Sequence, residues 1–159
     1  MTVKLIPLLE LPRELQMETR HWRNSEKVAR YFKIKYIDEA THINWLNIQA
    51  QPLPRIVAYI ICVDEQHSGV VYFHSIDREK GIADWGIYIH LPQLRGKGVG
   101  KTVLTKSISM AREQLGLHTL YLDVKKDNMS AVRLYEDCGF VYLYDEEDGF
   151  ARYSCNLGK

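Results

Sequence analysis

Between residues 82 and 115 the chain changes its period around a run of three glycines, and this narrows the fold more than any other stretch. From Ile82 to His90, the apolar residues Ala83, Trp85, Ile87 and Ile89 alternate with Asp84, Gly86, Tyr88 and His90. A two-residue period describes a strand with one apolar and one mixed face. From Val99 to Leu115, Val103, Leu104, Ile108, Ala111 and Leu115 recur at helical spacing and form a stripe to be buried. Gln93-Leu-Arg-Gly-Lys-Gly-Val-Gly-Lys101 joins the two. Glycine allows positive φ and clears side chains from the backbone. A helix that starts just after such a turn offers unpaired N–H groups and the positive end of its dipole to an anion. Arg95, Lys97 and Lys101 add positive charge at the same place. The stretch therefore reads as a strand, a phosphate-holding turn and a helix.

The rest of the chain fits around this unit. Val3 to Leu8 reads as a first strand, and Glu14 to Trp22 as a helix. Ser25 is placed to cap a short helix through Tyr31, and Asp38 precedes a third helical stretch. Ile56 to Val63 and Val70 to Ile76 are β-rich, separated by a turn-like Asp64 to Gly69, and with Ile82 to His90 they predict an antiparallel meander. After the long helix, His118 to Val124 reads as a strand. Asn128 is placed to cap a helix over Ser130 to Cys138, and Phe140 to Tyr144 with Phe150 to Cys155 predicts a closing hairpin. This order predicts one α/β (α+β) domain over residues 1–159, with a mixed, mainly antiparallel twisted sheet flanked by helices.

Composition removes several function classes. The 21 basic and 20 acidic residues give a net charge of +1, without the concentrated basic surface that nucleic-acid binding needs. No apolar run approaches a membrane span, and the first residues lack the h-region of a signal peptide. Cys62, Cys138 and Cys155 are odd in number and far apart, which suits a reducing compartment. No Cys-x-x-Cys or His-x-x-x-His pair suggests a metal site. The expectation is a cytoplasmic protein without metal, membrane or nucleic-acid partners. An exposed strand edge or the closing hairpin leaves room for a homodimer.

Whose phosphate the loop holds is the next question. A nucleotide P-loop ending at Gly100-Lys101-Thr102 needs glycine at position 95, where this chain has arginine. A dinucleotide fingerprint fails because Gly96, Gly98 and Gly100 lack its spacing. Arg95-x-x-Gly98-x-Gly100 instead resembles the acyl-CoA loop of the GNAT (N-acetyltransferase) superfamily. One helix and one strand later, Asn128-Met-Ser-Ala131-Val-Arg-Leu-Tyr135-Glu-Asp-Cys-Gly139-Phe140 resembles that superfamily's second motif. The resemblance covers Ile56 to Cys155. It implies that residues 55–159 bind acetyl-CoA and that residues 1–54 supply the acceptor side.

The resemblance also implies roles for individual residues. The backbone N–H groups of Gly96, Gly98, Val99 and Gly100 hold the pyrophosphate, with Arg95, Lys97 and Lys101 close by. The strand end Tyr88-Ile89-His90 pairs with pantetheine through its backbone. An N–H in that segment polarises the thioester carbonyl. Asn128 and Ala131 meet the pantetheine arm. Tyr135 is the general acid, since a phenol with a pKa of about 10 keeps its proton at neutral pH. Asp123 is the candidate base, with Asp84, His90 or a water as rivals. A covalent route through Cys138 lacks an evident activating partner.

A narrower resemblance concerns the acceptor. Trp22-Arg23-Asn24, then Tyr31-Phe32-Lys33-Ile34-Lys35-Tyr36-Ile37-Asp38 and His42, resemble the UDP-amino-sugar N-acetyltransferases of pseudaminic-acid synthesis. This implies that the amine is the 4-amino group of a UDP-linked dideoxy sugar, met by Arg23, Asn24, Tyr36 and Trp85, with Tyr31, Tyr36 or Trp45 against uracil. Lys33 and Lys35 read either as diphosphate ligands or as a solvated face. A protein N-terminal or polyamine acetyltransferase is the enzymatic alternative, and an acyl-CoA-binding sensor the non-enzymatic one.

Overall fold

The structure is a computed structural model that describes residues 1–158. Strand β1 (Val3–Pro7) is followed by helices α1 (Arg13–Asn24), α2 (Glu26–Ala29) and α3 (Glu39–Gln49). Strands β2 (Val57–Val63), β3 (Gln66–Asp77) and β4 (Ile82–Ile89) make the meander. Helix α4 (Val99–Glu113), strand β5 (Thr119–Lys125), helix α5 (Met129–Asp137), and strands β6 (Val141–Asp145) and β7 (Phe150–Asn156) complete the described chain. The strands form one seven-stranded sheet in the order β1-β2-β3-β4-β5-β7-β6. The β4–β5 pair is parallel and the other pairs are antiparallel.

Alternation along the strands divides the core between the two faces of the sheet. Ile61, Val71, Phe73, Ala83, Trp85, Leu120 and Leu122 point to the face covered by α4 and α5, where Val99, Val103, Leu104, Ala111 and Tyr135 meet them. Ala58, Ile60, Val70 and Tyr88 point the other way, against Trp22 of α1, Val28 of α2 and Leu46 of α3. Burying a side chain such as Phe73 or Leu104, each 0% exposed, contributes about 1.5–3 kcal/mol.

Two local expectations are corrected, and a third is extended. Strand β3 begins at Gln66, inside the stretch read as a turn. Asp64 and Glu65 take φ of 47° and 70° and turn the chain in two residues, so Val63 pairs directly with Gln66. Ser25 precedes α2 but does not cap it through its side chain; its hydroxyl donates to the Trp22 carbonyl at 2.7 Å. The closing hairpin forms, but β7 inserts between β5 and β6 and so brings its side chains beside those of β5. The Asp38 cap stands, with Oδ1 accepting from Thr41 N at 2.7 Å. Among the described residues no helix is long and apolar enough to cross a membrane.

Gly69 pairs with Ile89 at the end of β4. A Cβ there would stand 2.1 Å from the Tyr88 carbonyl oxygen. Because the obstacle is backbone, the strands would have to part. Gly69→Ala is expected to cost about 1–3 kcal/mol of stability, read as a lower urea midpoint. An unchanged midpoint would contradict this packing.

Candidate active site

Strands β4 and β5 pair only at Ile82–Thr119, Ala83–Leu120 and Asp84–Tyr121. Beyond that point β4 stays with β3 as far as Ile89, and β5 stays with β7 as far as Lys125. The facing edges Trp85–Ile89 and Leu122–Lys125 therefore diverge, and a cleft opens in the middle of the sheet.

Two cavities occupy the cleft. The larger, about 470 Å³, is lined by Tyr88 and Ile89 of β4, by Arg95, Gly96, Gly98, Val99, Gly100 and Lys101, and by Asn128, Ala131 and Tyr135 of the α5 region. Gly98 precedes α4 with φ of 80°, a left-handed conformation that costs other residues about 1–2 kcal/mol. The first bond of that helix runs from Thr102 N to Gly98 O at 3.1 Å, so the amides of Val99, Gly100 and Lys101 precede its ladder and face an anion site. A Cβ on Gly100 would lie 3.1 Å from Leu134, so glycine there lets α4 and α5 approach. Of the loop and strand residues expected here, Lys97 and His90 fall outside the lining. Lys97 is exposed. His90 stacks on Trp22, with ring centres 3.9 Å apart, and its Nε2 lies 3.2 Å from the His67 carbonyl.

Asn128 stands at the start of α5 but makes no side-chain cap bond; Ser130 Oγ donates to its Oδ1 at 3.3 Å. The capping expected from sequence is thus absent, because its ψ of 72° carries the side chain away from the helix amides. The side chain belongs to the cleft, whose two cavities Asn128 and Tyr135 both line. Tyr135 is 8% exposed and sets its ring edge-on to Trp85 at 5.9 Å. Burial pushes its phenol well above the ordinary value, so it holds its proton at neutral pH.

The second cavity, about 270 Å³, lies on the α1 side and meets the first at Ile87, Asn128 and Tyr135. Its charged wall is a network that sequence reading missed. Arg152 of β7 donates from Nη1 and Nη2 to Asp84 at 2.6 and 3.0 Å, and from Nη1 to Asp123 at 3.1 Å. Lys33 donates to Asp123 at 3.0 Å and to Glu146 at 3.1 Å. Burial works against the charge of Asp123, yet hydrogen bonds with Glu146, Lys33 and Arg152 outweigh it and hold its carboxyl below the usual aspartate range. Burial and the hydrogen bond to Asp123 push Glu146 upward. A carboxylate whose two oxygens each face a cation is a weakened proton acceptor, and Asp123, the expected base, is held in this way. Lys33 is exposed yet bridges Asp123 and Glu146, and Lys35 Nζ donates to the Phe32 carbonyl at 2.6 Å.

The acceptor candidates divide. Trp85 lines the second cavity, and its Nε1, though buried, has no hydrogen-bond partner among the described residues. Arg23 lines that cavity and a third of about 170 Å³ shared with His42, Trp45, Tyr72 and Tyr88. Its guanidinium lies 3.9 Å from the centre of the Phe32 ring, and Nη2 donates to the Ile34 carbonyl at 2.8 Å. Its Nη1 is buried without a partner among the described residues. Asn24 and Tyr36 are engaged elsewhere: Asn24 exchanges two 2.8 Å bonds with the Ile37 backbone, and the exposed Tyr36 accepts from Arg20 at 3.2 Å.

Residues 13–140 match the Acetyltransferase (GNAT) family model. The chain belongs to the GNAT acetyltransferase family. It is an acetyl-CoA-dependent N-acetyltransferase. It is 34% identical over 129 residues to acetyltransferase PseH of Campylobacter jejuni (strain 81-176), covering 81% of this chain and 78% of the relative. The spermidine N(1)-acetyltransferase of Vibrio cholerae is 42% identical over 73 residues, which is 46% of this chain and 42% of the relative. The crystal structure of Campylobacter jejuni PseH in complex with acetyl coenzyme A has a TM-score of 0.73 at 25% identity, covering 99% of this chain and 100% of that one. Spermidine N-acetyltransferase from Vibrio cholerae in complex with CoA and spermine shares the fold, with a TM-score of 0.82 at 23% identity over 98% of this chain and 95% of that one.

The free side chain of Asn128 yields a prediction that separates folding from binding. Removing an N-cap bond ordinarily costs about 1 kcal/mol. Asn128→Ala is expected to leave the denaturation midpoint nearly unchanged while raising KM for acetyl-CoA. Equal loss in both would mean that the residue serves the helix alone.

Proposed function

We propose that this acetyltransferase acylates the 4-amino group of a UDP-linked amino-dideoxy sugar. The observation that carries the reading is Arg23, whose buried Nη1 lacks a partner among the described residues, at the junction of the two acceptor-side cavities. A buried guanidinium donor left unpaired is costly, and an anion delivered by the acceptor would satisfy it. The 34% identity to PseH over most of both chains supports the same class of acceptor.

Charge on the acceptor wall points the same way. Around the second cavity the cations Arg23, Lys33, Lys125 and Arg152 outnumber the carboxylates Asp84, Asp123 and Glu146 by one, and the three carboxylates are engaged by Arg152 and Lys33, not by Arg23. Such a wall repels a polyamine and attracts a diphosphate. Trp45 and Tyr72 line the third cavity and offer aromatic surface to a uracil ring.

Acetyl-CoA supplies an activated acetyl group when bound. The residues of the larger cavity suit it: the amides that open α4, with Arg95 and Lys101, hold its pyrophosphate. The unpaired edge of β4 at Tyr88 and Ile89 takes its pantetheine as an added strand. Asn128 and Ala131 meet that arm from α5. Tyr135 Oη, still protonated, stands ready to give its proton to the departing sulfur. Asp123 acts as an anchor for Lys33 and Arg152.

The test is thiol release from acetyl-CoA with a UDP-4-amino-dideoxy sugar, an amino-terminal peptide and spermine offered separately. The nucleotide sugar is expected to be the preferred acceptor, and Arg23→Ala to raise its KM about 10–100-fold, consistent with one lost charge-assisted hydrogen bond. Preference for spermine or the peptide would refute the acceptor. Tyr135→Phe, which keeps the ring, is expected to lower kcat by about 100-fold with acetyl-CoA binding retained. Full turnover in that variant would remove Tyr135 as the acid.

A further inference from the structure

We propose that His74 is the base that takes the proton from the acceptor amine. An amine meets a thioester only after losing its ammonium proton, so a group in the second cavity must have a free lone pair. The charged side chains there fail this requirement. Asp84 gives both oxygens to Arg152, and Asp123 divides its oxygens between Arg152 and Lys33. Arg23, Lys33 and Lys125 are cations, and Tyr135 is the proton donor. Among the described residues lining this cavity, His74 carries the one imidazole.

Its position is built by the sheet. His74 pairs with Asp84 across β3 and β4, and the register slips just after it, between His74 and Asp77. Ser75 sits in the slip with φ of 51°, a conformation disfavoured for serine. Bulges of this kind re-aim a neighbouring side chain beside active sites. Ser75 Oγ lies 3.2 Å from His74 Nδ1. With Nδ1–H donating to that hydroxyl, the Nε2 lone pair is free. Asp84 of β4, Asp123 of β5, Arg152 of β7 and the Tyr72 ring of β3 are its ionisable neighbours. Burial lowers its pKa first, the two aspartates raise it, and Arg152 lowers it; the balance lies below the ordinary histidine value and keeps the ring neutral at pH 7.

The proton balance follows. The ammonium proton passes to His74 Nε2, the C–N bond forms as the C–S bond breaks, Tyr135 Oη protonates the sulfur, and the second proton of the acylated nitrogen passes to the Tyr135 phenolate through solvent. Solvent then takes the proton from His74, which is the one proton the reaction releases. The inference rests on acetyl transfer to an amine and not on which amine it is.

The experiment has two arms. In the first, kcat/KM is measured against pH for wild type and His74→Gln, with whichever amine of the panel wild type acetylates. Wild-type rate is expected to rise with pH as His74 loses its proton and to level off above an inflection below about 6.5. In His74→Gln the rate at pH 7 is expected to fall about 100-fold and that inflection to vanish. KM for acetyl-CoA should stay within about two-fold, because the variant leaves the larger cavity intact. In the second arm, the His74 ring is titrated by NMR in the wild-type enzyme, which needs no turnover. A neutral ring at pH 7 supports the base. A ring still protonated at pH 7, or a variant that keeps both the rate and the inflection, overturns it. Turnover of a peptide or spermine instead of the nucleotide sugar defeats the acceptor proposal and leaves this test intact on that amine.

Discussion

The parting of β4 from β5 after three residue pairs is the constraint on which the rest depends. A parallel pair in mid-sheet would ordinarily continue its ladder, because buried backbone groups without partners are costly. Here each strand is held on its outer side, β4 by β3 and β5 by β7, so the inner edges stay extended and apart. The fold thereby keeps a strand-shaped slot through its own core. Helices α4 and α5 line the mouth of the slot on one face. The α1 side supplies a second chamber on the other, and Tyr135 stands where the two chambers meet.

The second chamber holds its polar wall together by charge. Lys33 comes from the chain between α2 and α3, Asp84 from β4, Asp123 from β5, Glu146 from the β6–β7 connection and Arg152 from β7. Five separate pieces of chain thus converge on one face. The Arg152 bridge to Asp84 is well buried, whereas Lys33 is half open to solvent, so the first bond stiffens the sheet and the second ties the front of the chain across the cleft. Because these aspartates are matched by cations, the chamber presents Arg23 and the His74 imidazole to whatever enters.

Much of the scaffold was legible from period alone. The alternation from Ile82 to His90 placed Trp85 and Tyr88 on opposite faces, and the helical stripe after Gly100 placed Val103 and Leu104 in the core. What could not be read depends on contacts between distant segments. The hairpin of β6 and β7 is visible locally, but nothing in it says that β7 will insert beside β5, and that insertion delivers Arg152 to Asp123. The ion pairs of Asp123 with Lys33 and Arg152 were therefore not legible from its place on β5. His74 was passed over because a lone histidine in a β-rich run does not stand out until β4, β5 and β7 surround it. Asn128 was read as a cap from residue type, whereas its backbone angle frees the side chain.

The central claim is that the gap between β4 and β5, with the start of α4, receives acetyl-CoA. Backbone amide exchange with and without acetyl-CoA tests it residue by residue. Exchange is expected to slow at the amides of Trp85–Ile89 that face β5 and at Val99, Gly100 and Lys101. Saturable acetyl-CoA binding that leaves both segments exchanging at their unliganded rates would contradict it.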